Sequence, residues 1–226
     1  MDFYKLIKSL DELVFEILSW LYFYPRTLIR TLLTPFGLML DTEKRMDEDP
    51  DPAWGDRIGP PLFLALTLAV IHGIEIGIGI DAVESYQNEA IKELMSNDTN
   101  LLAVRIVLFG ALPLLAAARE LKVRGIRMTK SALQAPFYAQ CYPAAGYAVL
   151  VNATYFAAHD LITTKPALGA AILFGGLLVS ALWVGFVETR WFHRRLETTR
   201  LRAMGHAFVL LLQWLLLAVA VTLVLS

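Results

Sequence analysis

Five apolar stretches, at about 59–80, 101–121, 136–161, 166–188 and 205–225, constrain this chain more than any other feature. Each is long enough to cross a hydrocarbon core as helix, which takes roughly 20 residues. Backbone in hydrocarbon must satisfy its own hydrogen bonds, so spanning segments are helices or closed barrels. A barrel requires alternating strands of about ten residues, and this sequence has none. The third stretch is long enough to tilt or to project beyond the membrane. The expected fold is therefore an all-α integral membrane protein with five transmembrane helices over residues 59–226, preceded by a non-spanning region, 1–58. Composition points the same way: 57% of residues are apolar and 18% charged, against about 45–50% and 25% in soluble domains. The net charge of −1 offers no basic field for nucleic acid.

Orientation follows from the lysines and arginines between the stretches. Residues 1–58 carry seven, the segment 81–100 one, 119–135 five, 162–165 one, 189–204 five, and nothing basic follows the last stretch. This alternation at every crossing predicts a cytoplasmic N-terminus and a C-terminus outside.

In the N-terminal region Phe3, Leu6, Ile7, Leu10, Leu13, Val14, Ile17, Leu18 and Leu21 recur at helical spacing, with Lys5, Lys8, Asp11, Glu12 and Glu16 off that stripe. The pattern predicts an amphipathic helix, broken at Pro25. A second amphipathic helix is expected from Arg26, with Pro35 near its end. Both are expected on the cytoplasmic membrane surface or against the bundle. The acidic, turn-rich run at 41–52, DTEKRMDEDPDP, reads as a loop. In 81–100, Val83, Tyr86, Ala90, Ile91 and Leu94 are spaced to extend the first span as an amphipathic helix.

Ionisable residues inside spans are costly and suggest function. His72 and Glu75 lie three apart in the first span, and Arg105 lies in the second. Glu75 is five residues from the outer end of its span and Arg105 four residues into the next. At 1.5 Å per residue both sit roughly 6–8 Å below the outer boundary. Matched depth on consecutive antiparallel spans predicts a Glu75–Arg105 ion pair, with His72 one turn deeper. Gly73-x-x-x-Gly77 and Gly176-x-x-x-Ser180 are flat strips that suit close helix packing. Asn152, Thr154 and Gln213 are expected to hydrogen-bond between helices. Signatures of a P-loop, a zinc protease or a serine-hydrolase elbow are absent, and His72, His159, His193 and His206 lie at depths too different to share one metal. No catalytic set, metal or cofactor is expected. The single cysteine, Cys141, cannot form an intramolecular disulfide.

The stretch WGDRIGPPLFLAL at 54–66 resembles the entry to the membrane domain of the Yip family. That family's usual step is Asp-Leu-Tyr-Gly-Pro. Asp56, Gly59 and Pro60 match it, while Arg57 and Ile58 depart. A Gly-Tyr pair in the third span, Gly146-Tyr147, is a second likeness. The resemblance implies a five-span fold and a bacterial relative of proteins that organise membrane partners. The motif also has a local reading: Pro60 suits a first helical turn, and Asp56 with Gly55 and Gly59 a tight turn. The expected function is a non-enzymatic scaffold or assembly factor for partner proteins or lipids. Its expected partners are membrane lipids and a membrane-protein partner or a second copy of itself. The alternative is a small permease or channel component with a polar path at His72, Glu75 and Arg105.

Overall fold

The computed structural model describes residues 3–49, 52, 54–80, 92, 93 and 96–225. Its described residues form α-helices and no strand. In chain order these are α1 (Phe3–Leu33), α2 (Pro35–Glu48), α3 (Pro60–Gly77), α4 (Asp98–Val123), α5 (Lys130–Thr164), α6 (Pro166–Arg195) and α7 (Arg200–Leu225). Four of them, α3, α4, α6 and α7, are long and apolar enough to cross a membrane. Four of the five expected spans fall on these helices; the third, 136–161, falls within α5, which is not one of them. The proposed helical extension over 83–94 lies mostly outside the described residues.

Local chemistry explains the boundaries. Pro60 and Pro61 open α3, where a missing N–H costs nothing. The Asn97 side chain caps α4 by accepting from the Thr99 amide at 2.9 Å, and Thr129 caps α5 by accepting from Ala132 at 3.2 Å. Gly125, at φ 67°, turns the chain after α4, a backbone region open to glycine at no steric cost. A single residue, Lys165, separates α5 from α6. Antiparallel packing follows, seen in the pairings of Gln140 with Glu188 and of Trp183 with Gly146.

Helix α5 is the central element. It packs against α2, α3, α4 and α6. Its Ala139, Ala144, Ala145 and Ala148 are fully buried, and such small residues let neighbouring backbones approach. Gln140, Tyr142, Tyr147 and Asn152 dilute its apolar character. By contrast Phe174, Leu182 and Phe186 of α6 and Phe208, Leu216 and Leu223 of α7 are exposed, as suits faces turned to lipid.

The N-terminal region differs from its expectation in two places. Pro25 does not break the first helix, which runs from Phe3 to Leu33 with Pro25 inside it. A proline removes one backbone bond, and the turns after it are held elsewhere: Thr27 and Thr31 are buried, and the Trp183 indole donates to the Leu32 carbonyl at 3.2 Å. The second helix accordingly starts at Pro35, not at Arg26. The acidic run is not a loop throughout, because residues 41–48 belong to α2. Asp41 with Arg45 at 3.2 Å and Lys44 with Glu48 at 3.9 Å are pairs one turn apart, which support a helix, and Thr42 and Met46 are buried. With Leu38 and Met39 also buried, α2 is part of the protein core. Pro113, Pro136 and Pro143 likewise sit inside continuous helices.

Candidate functional site: buried charges at the two ends of the bundle

At the end of the bundle away from α2, the first predicted cluster assembles. Glu75 and His72 are 4% and 7% exposed on α3. The Arg105 guanidinium of α4 donates to the Glu75 carboxylate, so the depth match read from the sequence corresponds to a contact. His72 Nδ1 lies 3.8 Å from the same carboxylate and 3.5 Å from Arg105 Nη1. Among the described residues its Nε2 has no hydrogen-bond partner, with Asp98 at 3.7 Å. Both side chains line a cavity of about 550 Å³ with Lys92, Glu93, Ser96 and Asp98. The Glu75–Arg105 ion pair ties α3 to α4, with the His72 imidazole beside it.

The glycines beside Glu75 do not play their predicted part. Gly73 and Gly77 are exposed, and a Cβ added at either would meet nothing within 4 Å. The helix buries the face carrying Leu68, Ile71, His72 and Glu75, and the 3.6-residue period turns Gly73 and Gly77 away from it. The strip in α6 does pack. A Cβ at Gly176 would lie 2.4 Å from the Thr154 side chain, and Ser180 is buried and donates to the Gly176 carbonyl at 2.8 Å.

The opposite end holds a larger network that the sequence reading overlooked. Glu120, in the last turns of α4, is fully buried. It accepts from Trp191 Nε1 at 2.9 Å, Arg195 Nε at 2.9 Å and Arg124 Nη1 at 3.0 Å. Arg195 also pairs with Glu43 of α2. Burial raises the Glu43 pKa, and the Arg195 charge opposes that shift. Beside this network Gln140 of α5 donates to Glu188 of α6 at 3.1 Å, both inside the core. The rule that singled out Glu75 applies equally to Glu120 and Glu188. Their nearness to basic loops made them look like span ends.

The Asp56 motif forms a third cluster at this end. Arg45 of α2 grips Asp56 with two contacts, at 2.8 and 3.0 Å. Arg57 is 3% exposed and pairs with Asp41. Its guanidinium lies 5.3 Å from the Trp54 ring and 6.0 Å from the Tyr142 ring. Burial lowers its pKa, and the nearby Arg30 charge adds to that shift. Gly59 is the N-cap of α3 and packs on Trp54, where an added Cβ would lie 3.2 Å from the ring. Gly146 sits where α1, α5 and α6 meet, and Tyr147 packs edge-on to Trp214 with centroids 5.3 Å apart.

Among the other polar residues, Gln213 accepts from Arg119 of α4 at 2.8 Å, an interhelical bond as expected. Asn152 and Thr154 differ. They bond carbonyls of their own helix, Ala148 and Leu150, each at 2.8 Å, because a short polar side chain reaches the preceding turn more easily than a neighbouring helix.

The fold and its buried charges define an all-helical membrane protein with interhelical ion pairs at both ends. Comparison with protein-family models, curated proteins and solved structures finds no match for the chain.

Proposed function

We propose that this chain is a five-span, Yip-like scaffold of the inner membrane, without catalytic activity, that holds partner proteins or lipids in place. The fifth span in this reading is α5. It follows α4 closely, joins α6 through one residue, and packs between helices that are themselves long and apolar enough to cross. Helix α1 would lie along the cytoplasmic surface, a position that suits its exposed Phe15, Leu18, Leu21 and Tyr22. The basic segments 1–58, 119–135 and 189–204 would face the cytoplasm. A reporter active only outside the cytoplasm is then expected to work when fused after Ser226, and a single cysteine at Ser96 to react with a reagent added outside. A C-terminus found in the cytoplasm would remove the five-span reading.

The observation that carries the scaffold reading is how the interior charges are spent. The described charge clusters pair across helices at the two ends, and the bundle between them is filled by Leu68, Leu112, Ala116, Ala144, Ala145 and Ala148. A solute path instead calls for converging polar groups or broken helices at mid-membrane. The cavity beside His72 and Glu75 favours the second reading, a small permease. Removing a charge separates the two. In the scaffold, Glu75→Gln and Arg105→Gln each lower folded yield, and the double variant loses less than the sum, with coupling of about 0.5–3 kcal/mol. Reconstituted vesicles then show no pH-dependent ion flux above protein-free vesicles. A well-folded Glu75→Gln variant that abolishes a measurable flux would replace the scaffold by the permease.

A further inference from the structure

At the end of the bundle that holds α2, three glutamates come within electrostatic reach of one another: Glu43 of α2, Glu120 of α4 and Glu188 of α6. Two guanidinium groups serve them. Arg195 pairs with Glu43 and with Glu120, and Arg124 pairs with Glu120. Two cations thus balance two carboxylates. Among the described residues no ion pair reaches the third, Glu188. It is 1% exposed, and its hydrogen-bond partner is the neutral side chain of Gln140, which donates to Oε2 at 3.1 Å.

The elements around α6 bring no counter-charge to this carboxyl. From α5 it meets Gln140. From α4 it meets the field of Glu120, a charge of the same sign. The basic groups of these elements are engaged elsewhere. Arg119 of α4 donates to Gln213, and His206 of α7 packs on the Phe192 ring. Arg45 of α2 grips Asp56, and Arg30 of α1 stands near Arg57. On α6 itself, Arg190 lies over the Phe36 ring at 4.4 Å, and Arg195 is taken by Glu43 and Glu120.

An ionised group buried without a cation is so costly that it takes up a proton instead, and a second carboxylate nearby favours the same neutral form. We propose that Glu188 is a proton-binding site: at neutral pH it is a carboxylic acid that accepts from Gln140 at Oε2 and carries its proton on Oε1, and release of that proton to water at alkaline pH loosens the joint between α5 and α6. Glu120 is its opposite. Three donors, two of them cations, hold Glu120 as a carboxylate, and its indole donor, Trp191, stands three residues after Glu188 on the same helix. The proposal is independent of the scaffold and permease readings.

The test is infrared spectroscopy of the full chain in detergent, with thermal unfolding alongside. The parent protein is expected to show a protonated-carboxyl C=O band at about pH 7, where ordinary carboxyls are ionised. The band should fade as the pH is raised and be missing from Glu188→Gln. Glutamine matches the neutral acid in shape and charge, so this variant should fold in parental yield, whereas Glu120→Gln should not. The folded state keeps a proton that the unfolded chain gives up, so stability falls as pH rises above the ordinary carboxyl range. The unfolding constant grows by up to about tenfold per pH unit until the folded protein also loses the proton. Between about pH 6 and about pH 8 the slope in Glu188→Gln should be smaller by that one proton. A parent protein without the band at neutral pH would overturn the proposal, as would a band that survives in Glu188→Gln. Equal pH slopes in the two proteins, or a loss of folded Glu188→Gln as large as that of Glu120→Gln, would also overturn it.

Discussion

Glu120→Gln is expected to remove most of the folded protein. The residue has no solvent exposure, and its carboxylate accepts from Trp191, Arg124 and Arg195. Glutamine keeps the shape but removes the charge, and its amide NH2 meets a donor whichever way it turns: the Arg124 and Arg195 guanidinium groups on one side or the Trp191 N–H on the other. Breaking a buried pair from one side typically costs about 3–5 kcal/mol, which rivals the whole stability of many domains, about 5–15 kcal/mol. Arg195 retains Glu43, so the loss should be greatest between α4 and α6, with α2 weakened next. Yield of monodisperse protein and the thermal midpoint in detergent measure it. Arg124→Gln is the comparison. Its side chain is 35% exposed, and loss of a partly solvated pair is expected to cost less than about 1 kcal/mol. Equal losses in the two variants would show that Glu120 is not the centre of the network.

Gly146→Leu is expected to dislodge α1 from the bundle. A Cβ at this position would fall 2.5 Å from the outer ring of Trp183 and 3.2 Å from the Thr31 methyl. Trp183 has little room to yield, because its indole N–H is engaged by the Leu32 carbonyl. Overpacking of this kind costs about 1–3 kcal/mol or more, and the strain falls on the contact that ties α1 to α6. Limited proteolysis should cut between Pro25 and Gly37 in the variant and spare that segment in the parent protein. Gly175→Leu, where an added Cβ meets nothing within 4 Å, should behave like the parent. If it is cleaved equally, the effect belongs to helix flexibility and not to the fit around Trp183.

These two variants also mark where reading the chain from its residues succeeds and where it stops. Glu75 and Arg105 were legible as a pair because each sits inside an apolar run, at a depth that the helical rise converts to distance. Glu120 and Glu188 lie nearer the basic loops, where a carboxylate looks solvated until the neighbouring helices are placed. Gly73 and Gly77 show the converse. Their spacing matches a packing strip, but spacing does not reveal which face of a helix its neighbours cover, and here that face belongs to His72 and Glu75. The run after Asp41 carries the local turn chemistry of a loop. Its helical state depends on Thr42 and Met46 being buried and on Glu43 reaching Arg195, contacts formed with elements far along the chain.

The order and approximate ends of α3 to α7 and the depth of the first ion pair were determined by the sequence, because each depends on local periodicity, hydropathy and a fixed rise per residue. The ends of α1 and α2 were not, and four of the five apolar stretches lie on helices long and apolar enough to cross a membrane. The tertiary structure alone decided that α5 is the central helix, that α2 is core, that Gly146 must be small and that Glu120 joins α2, α4 and α6. Each of these depends on which faces meet across the bundle, and packing of that kind is a property of pairs of segments that no single stretch of residues carries.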